Sequence, residues 1–217
     1  MANAEPHLRD HAYTSFTRKL LDRDIEPGQI VSQRELVALT GMPLGAIREM
    51  IPRLEADGLI ETVPKRGLKV LSIDLNLIRN AFQLRRIIER EAFEQFCDEG
   101  KDDEIEKMVE DHRSIREEAL KGVDADLLAR AQHMDWAFHD HVIDALGNEL
   151  ISSVHRVNAI KIRLIRNADT RMLPELVVSV LDEHLAVIYA LQARNRARTV
   201  SAIHAHIDSA KRRALSL

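Results

Sequence analysis

Asp135 and His139 stand four residues apart in MDWAFHDHVIDALGN, residues 134–148, and both fall where a helix would carry its buried face. Leu127, Leu128, Ala131, Phe138, Val142, Ile143 and Leu146 follow the three-to-four spacing of one helical stripe, and the two polar residues lie inside it. Burying even a neutral polar group without a partner costs roughly 2–7 kcal/mol. Asp135 therefore needs a cation, a donor network or a metal. Two more histidines repeat the pattern: His184 sits among Val177, Val180, Leu181, Leu185 and Ile188, and His206 among Ala202, Ile203, Ile207 and Ala210. One Asp and three His directed into a helical core make a divalent metal site, with Asp135 and His139 converging from successive turns. Imidazole donors suit zinc first, with nickel, manganese and iron as alternatives. Four protein ligands on an octahedral ion would leave two positions for water or for the oxygens of a small carboxylate. The other reading of the four residues is a hydrogen-bonded network that only supports the core. His133, His141 and His204 lie off these stripes and read as surface positions.

The elements that must hold these residues are helices. Residues 74–217 read as six, near 74–97, 103–121, 125–146, 149–168, 174–193 and 196–214, joined by connections short enough for an antiparallel bundle. On the first, Arg85 and Glu89 have the spacing of an ion pair. Such a pair on the surface is worth about 0.2–0.5 kcal/mol, whereas facing the cavity it would let Arg85 meet an anionic ligand. Asn158 and Arg163 on the fourth helix are candidates to line the same pocket.

Residues 1–72 have a different grammar, and the boundary falls near Ser72 to Asp74. A helix over 11–22 is stopped by Glu26-Pro27-Gly28; a second begins at the capping box Ser32-Gln33-Arg34-Glu35 and ends before Gly41; a third runs from Pro43 to Asp57-Gly58. Pro52 inside the third predicts a bend. Two strands follow, 59–63 and 68–73, around the turn Pro64-Lys65-Arg66-Gly67. Helix, turn, helix and hairpin in this order give a winged helix-turn-helix, whose third helix fits a major groove and whose basic wing tip can touch phosphates. Candidate contacts are Arg34, Arg48, Lys65, Arg66 and Lys69. The segment holds ten Lys/Arg against ten Asp/Glu, so its positive charge must be concentrated on one side.

Composition narrows the function classes. A chain of 217 residues with a formal charge of −4 has no global basic field, and its 4% aromatic content argues against stacking platforms for single strands. The single Cys97 excludes an internal disulfide and suits a reducing compartment, and no signal peptide or membrane span is read, so a cytoplasmic location is expected. One enzyme reading competes: His139-Asp140 in a helical domain is similar to the HD motif of metal-dependent phosphohydrolases. Asp140 points away from the stripe, and no further His and Asp fit that pattern.

The chain resembles the GntR family of bacterial transcription regulators, in its FadR-like branch with an FCD ligand-binding domain. The first region carries the resemblance through EPGQIVSQRELVALTGMPLGAIREMIPRLEADGLIETVPKRGLKV, and the second through LRRIIERE, the D-x-x-x-H of DWAFH, the GN after that helix, EHLAVIYAL and His206. It covers nearly the whole chain. The resemblance implies a mainly α fold with an N-terminal winged helix-turn-helix over 1–72 and an effector-binding, dimerising helical domain over 73–217. It further implies a homodimer reading a pseudo-palindromic double-stranded operator, a metal held by Asp135, His139, His184 and His206, and an organic or sugar acid that completes the metal's shell; Arg85 and Asn158 are the residues expected from their own positions to touch that acid. Six bundle helices look like the shorter VanR-type subgroup, and repression relieved by the acid is the expected sign. Arg34, Arg48 and the wing pair Arg66-Gly67 match family DNA contacts. Pro43 and Leu44 depart from it, standing where a hydroxyl residue and an arginine usually open the recognition helix.

Overall fold

The computed structural model describes residues 8–169 and 173–215, and the chain divides into two compact units, Met1–Asp74 and Leu75–Leu217. In the first unit α1 (Leu8–Leu21) buries Phe16 and Leu20 against the other helices, and Tyr13 donates its hydroxyl to Asp57 at 2.6 Å. The capping box forms at α2 (Gln33–Thr40): Glu35 N–H donates to the Ser32 hydroxyl, and Ser32 N–H donates to the Glu35 carboxylate. Gly41, at φ +70°, ends α2 in the left-handed conformation that glycine adopts without a Cβ penalty. Helix α3 (Leu44–Ala56) follows Pro43, buries Ile47, Met50, Ile51 and Leu54, and continues as one helix across Pro52, whose side is exposed.

Strands β2 (Ile60–Val63) and β3 (Gly67–Val70) form the antiparallel wing, and a strand not expected from the sequence, β1 (Ile30–Val31), pairs with the other edge of β3. The sheet order is β1-β3-β2. A two-residue strand is too short to show alternation, which explains why periodicity does not reveal it. Gly67 is required where it stands: its φ is +123°, and a Cβ there would meet the Val31 carbonyl oxygen at 2.7 Å.

The second unit is a bundle of α4 (Leu75–Glu99), α5 (Asp102–Ala119), α6 (Ala125–Asp144), α7 (Glu149–Asp169), α8 (Val177–Gln192) and α9 (Arg196–Leu215), with a single 3-10 turn over Pro174–Leu176. The fifth helix accordingly starts three residues later than expected. Helix α8 packs on α4, α5 and α9, and buries Val180, Leu181, Leu185, Val187, Ile188 and Leu191. It reads as almost continuously apolar because it has neighbours on several sides. Caps set the phase of the helices that carry the site. Leu127 N–H donates to Asp124 at the start of α6, and the N–H groups of Leu150 and Ile151 donate to Asn148 at the start of α7. Gly147 at φ +63° makes the turn between them, so the GN pair is a stop and a start signal in adjacent positions.

Candidate metal centre and nucleic-acid interface

Helix α6 brings Asp135 and His139 inward from successive turns, α8 brings His184, and α9 brings His206; all four are buried, and one ligand atom from each lies within 4.8 Å of every other. The hydrogen bonds behind the imidazoles decide which nitrogen faces this cluster. His206 Nδ1 is 2.8 Å from Oε2 of Glu183, which can only accept, so Nδ1 carries the hydrogen and Nε2 keeps its lone pair. Nδ1 of His139 lies 3.0 Å from Oε2 of Glu89, and Nδ1 of His184 lies 3.3 Å from Nε2 of His112. Nε2 of His184 and of His206 are buried without a hydrogen-bond partner, and Nε2 of His184 is 3.4 Å from Oδ1 of Asp135. Two inward imidazole lone pairs beside a buried carboxylate are electron-pair donors of the kind a cation accepts. The chemistry of the set fits a divalent metal, and carboxylates behind two of the rings are the outer partners such ligands take.

Charge states agree with that chemistry. Burial, aided by neighbouring cationic groups, pushes His139 down to about 4 and His206 down to about 3, so both rings are neutral near pH 7 as metal ligands must be. His112 is likewise pushed to about 3, chiefly by burial. Burial opposes ionisation of Glu183, but hydrogen bonds from His206, Arg213 and Ser209 outweigh it and hold the carboxyl at about 2. Glu89 is fully buried, yet Arg85 and His139 keep its carboxyl well below the ordinary carboxylate range.

Arg85 and Glu89 form a buried pair with Nε donating to Oε1 at 2.6 Å, and Nη2 of Arg85 donates to Nε2 of His139 at 2.8 Å. They border a cavity of about 30 Å³ that is also lined by Asp135, Trp136, His155 and Asn158. Asn158 spends its Nδ2 on the Ala81 carbonyl at 3.0 Å, a tie from α7 to α4. Arg163 stacks over Trp136 with its guanidinium carbon 4.4 Å from the ring centroid, and donates to Asp140 at 3.0 Å. Asp140 also takes His155 at 2.8 Å and is outside the four-residue cluster, so the phosphohydrolase pairing of His139 with Asp140 does not form. His133 and His141 are exposed, but His204 is half-buried against Arg86, which pairs with it at 3.1 Å. His112, Glu183 and His155 are site residues that the sequence reading passes over.

In the first unit some cations are paired and others are not. Arg9, Lys19, Arg23 and Arg53 sit in ion pairs with Asp10, Asp24, Glu26 and Asp10. Arg34, Arg48, Lys65, Arg66 and Lys69 are exposed and make no ion pair among the described residues; Arg48 instead donates to Gln33 at 3.2 Å, joining α3 to the start of α2. Lys65 holds φ +62° at the wing tip and Gly67 closes the hairpin. Pro43 and Leu44 are exposed at the start of α3 and offer no donor.

The family described as bacterial regulatory proteins, gntR family, matches residues 8–70, and the FCD domain family matches residues 80–209. The probable transcriptional regulator LgoR of Escherichia coli is 20% identical over 91% of this chain, which spans 64% of that relative's length. The gluconate operon transcriptional repressor of Bacillus subtilis is 24% identical over 85% of the chain and 75% of its own length. Among solved structures, Escherichia coli McbR/YncC has the same fold, with a TM-score of 0.73 at 13% identity over 94% of this chain and 95% of its own. No helix among the described residues is long and apolar enough to cross a membrane. The two family matches cover both units, and the two relatives named are transcriptional regulators by name. The chain belongs to the GntR family, as a DNA-binding transcriptional regulator of the FCD type.

Proposed function

We propose that this protein is a cytoplasmic, homodimeric repressor of the VanR-type subgroup, whose grip on a pseudo-palindromic operator is released by a small organic or sugar acid at a metal held by Asp135, His139, His184 and His206. The observation that carries the reading is the pattern of outward Nδ1 contacts on all three histidines, which leaves Nε2 of His184 and His206 as inward, unspent lone pairs. Zinc suits the donor set first; nickel, manganese and iron fit it too. When bound, the ion supplies a Lewis-acidic anchor for a carboxylate.

The chain's own residues supply the coupling. Nε2 of His139 cannot serve Arg85 and a metal at once, so a metal held by His139 through Nε2 would leave an Arg85 N–H for the acid. The cavity between α4, α6 and α7 has a volume of about 30 Å³. An acid that parts these walls binds one arrangement of the bundle better than another, the differential affinity that any effector needs. The six-helix count supports the VanR-type assignment. Exposed Ile87 on α4 and Leu150 and Val154 on the adjacent α7 support a dimer surface. The gluconate operon repressor among the relatives supports the repressing sign and the inclusion of sugar acids among the acids to test.

The test is selection of genomic DNA by the purified protein at near-physiological salt, followed by release with zinc and a panel of acids. An enriched pseudo-palindrome, released by an acid only when metal is present, is the expected result. Sequence-blind retention that vanishes with salt would overturn the operator reading, and release by the same acid after metal removal would overturn the metal's part in it.

A further inference from the structure

Two of the three clustered histidines are backed by carboxylates, Glu89 behind His139 and Glu183 behind His206. The third, His184, is not: behind its Nδ1 stands another imidazole, His112 of α5, at 3.3 Å. His112 is itself buried, and its Nδ1 lies 2.7 Å from the Met108 carbonyl one helical turn earlier. A backbone carbonyl only accepts, so Nδ1 of His112 carries its hydrogen. In a neutral imidazole this leaves Nε2 as an acceptor, and the hydrogen between the two rings must then sit on Nδ1 of His184. The second nitrogen of His184 is left as a lone pair, 3.4 Å from Asp135 and without a hydrogen-bond partner.

We infer that His112 is a positioning residue that fixes His184 in the Nδ1–H tautomer, so that its Nε2 lone pair faces Asp135, His139 and His206. This assignment rests on the metal reading for its use, although not for its geometry. An imidazole serves here where the other two rings have a carboxylate because α5 presents its apolar face at this level: Ile105, Val109 and Ile115 are buried beside it, and Phe138 packs edge-on against His112. A carboxylate among them would be a buried charge with no cation at hand, whereas a neutral ring needs only one donor and one acceptor. His112 also borders a groove of about 240 Å³ with Met108, Met134 and Phe138.

The test compares wild type with His112→Gln and His112→Leu in the full chain. Gln can accept from His184 through its carbonyl and donate to Met108 through its amide, while Leu fills space and does neither. Ring nitrogen NMR of metal-free protein is expected to show His184 as the Nδ1–H tautomer in wild type and His112→Gln, and as a mixed or Nε2–H tautomer in His112→Leu. Zinc affinity, measured by competition with a chromogenic chelator, is expected to fall about 10- to 100-fold in His112→Leu and only a few-fold in His112→Gln, the range seen for outer partners of metal ligands. An unchanged tautomer in His112→Leu, or equal losses of zinc affinity in both variants, would overturn the assignment. If wild type bound no zinc, the metal reading would fall, and the NMR comparison alone would still decide what His112 does.

Discussion

Arg85 reaches His139 and Glu89 with one guanidinium, donating through Nη2 to Nε2 of the ring at 2.8 Å and through Nε to Oε1 of the carboxylate at 2.6 Å. The carboxylate is fully buried and the arginine is 5% exposed. Removing the cation strands a charge in the core, so Arg85→Met is expected to destabilise the helical unit by about 3–5 kcal/mol, the usual cost of breaking a buried pair from one side. Urea unfolding followed by circular dichroism measures it. Arg85→Met combined with Glu89→Leu should recover much of the loss, because neither charge of the pair remains. A single-variant loss below ~1 kcal/mol, the scale of an exposed pair, would mean that Glu89 is not held as a carboxylate by Arg85.

The ligand set gives a sharper expectation. Asp135→Ala and His184→Ala each remove one of four converging donors, and each should lose most bound metal after dialysis, read by elemental analysis against wild type. His133→Ala, on the exposed side of the same helix as Asp135, should retain it. Full occupancy in both ligand variants would rule out the proposed set, and in that case the four side chains would stand as a hydrogen-bonded core.

Acid should loosen the helical unit before its carboxylates titrate. The unfolded value of a histidine is about 6.5, whereas burial holds His112, His139 and His206 at about 3, 4 and 3 in the fold. Between those limits the unfolded chain binds more protons than the folded one. Stability therefore rises with pH across the window and is lost as pH falls from about 6.5 toward 4. Glu89 and Glu183 have depressed values, so their contribution is lost only below about 4.5, where unfolded carboxyls begin to protonate. The expected result is a urea midpoint that drops between about pH 7 and pH 5, with most of the drop removed in His112→Leu combined with His206→Phe. A midpoint independent of pH over that range would contradict buried neutral histidines.

Much of this arrangement is legible in the sequence because polar residues interrupt apolar stripes. Asp135, His139, His184 and His206 are all found that way. His112 sits on an equally clear stripe of Ile105, Val109 and Ile115, so the same test applied to α5 finds it. Glu183 is different: it is half-buried and reaches around α8 to meet His206, Ser209 and Arg213 of the next helix, a contact that only the packing of α8 on α9 creates. The i, i+4 spacing of Arg85 and Glu89 is plain, but their burial depends on α4 being covered by α6, α7 and α9 together, which no pattern on α4 alone reveals. In the first unit the capping box and Gly41 can be read directly. The short strand β1 cannot, because two residues carry no period.

The wing offers a separation of structure from contact. At Gly67 a Cβ would approach the Val31 carbonyl oxygen to 2.7 Å at a φ of +123°. Gly67→Ala should therefore strain the hairpin by about 1–3 kcal/mol and lower the unfolding midpoint of the first unit. Arg66→Ala next to it should leave that midpoint unchanged, because Arg66 is exposed and makes no ion pair among the described residues. If both variants unfolded alike, the glycine would not be the element that lets β1 and β3 close.

Arg48 and the wing cations should then differ in kind when DNA binding is measured. Arg48 projects from the exposed side of α3 and is held by Gln33 at 3.2 Å, so its guanidinium is oriented before any DNA arrives. A side chain that reads a base edge loses about 1–3 kcal/mol of specific binding when truncated and relaxes the preference at one position, whereas one that touches phosphate weakens all sequences alike and lowers the salt slope by about 1. Arg48→Ala is expected to follow the first pattern on the selected operator, and Lys65→Ala and Arg66→Ala the second. Fluorescence anisotropy at several salt concentrations, on the operator and on a scrambled duplex, separates the two. Arg48→Ala binding the operator as tightly as wild type would reject its assignment as a base reader. Specificity would then have to come from other exposed residues of α2 and α3, because Pro43 and Leu44 at the start of α3 have no donor to offer a base.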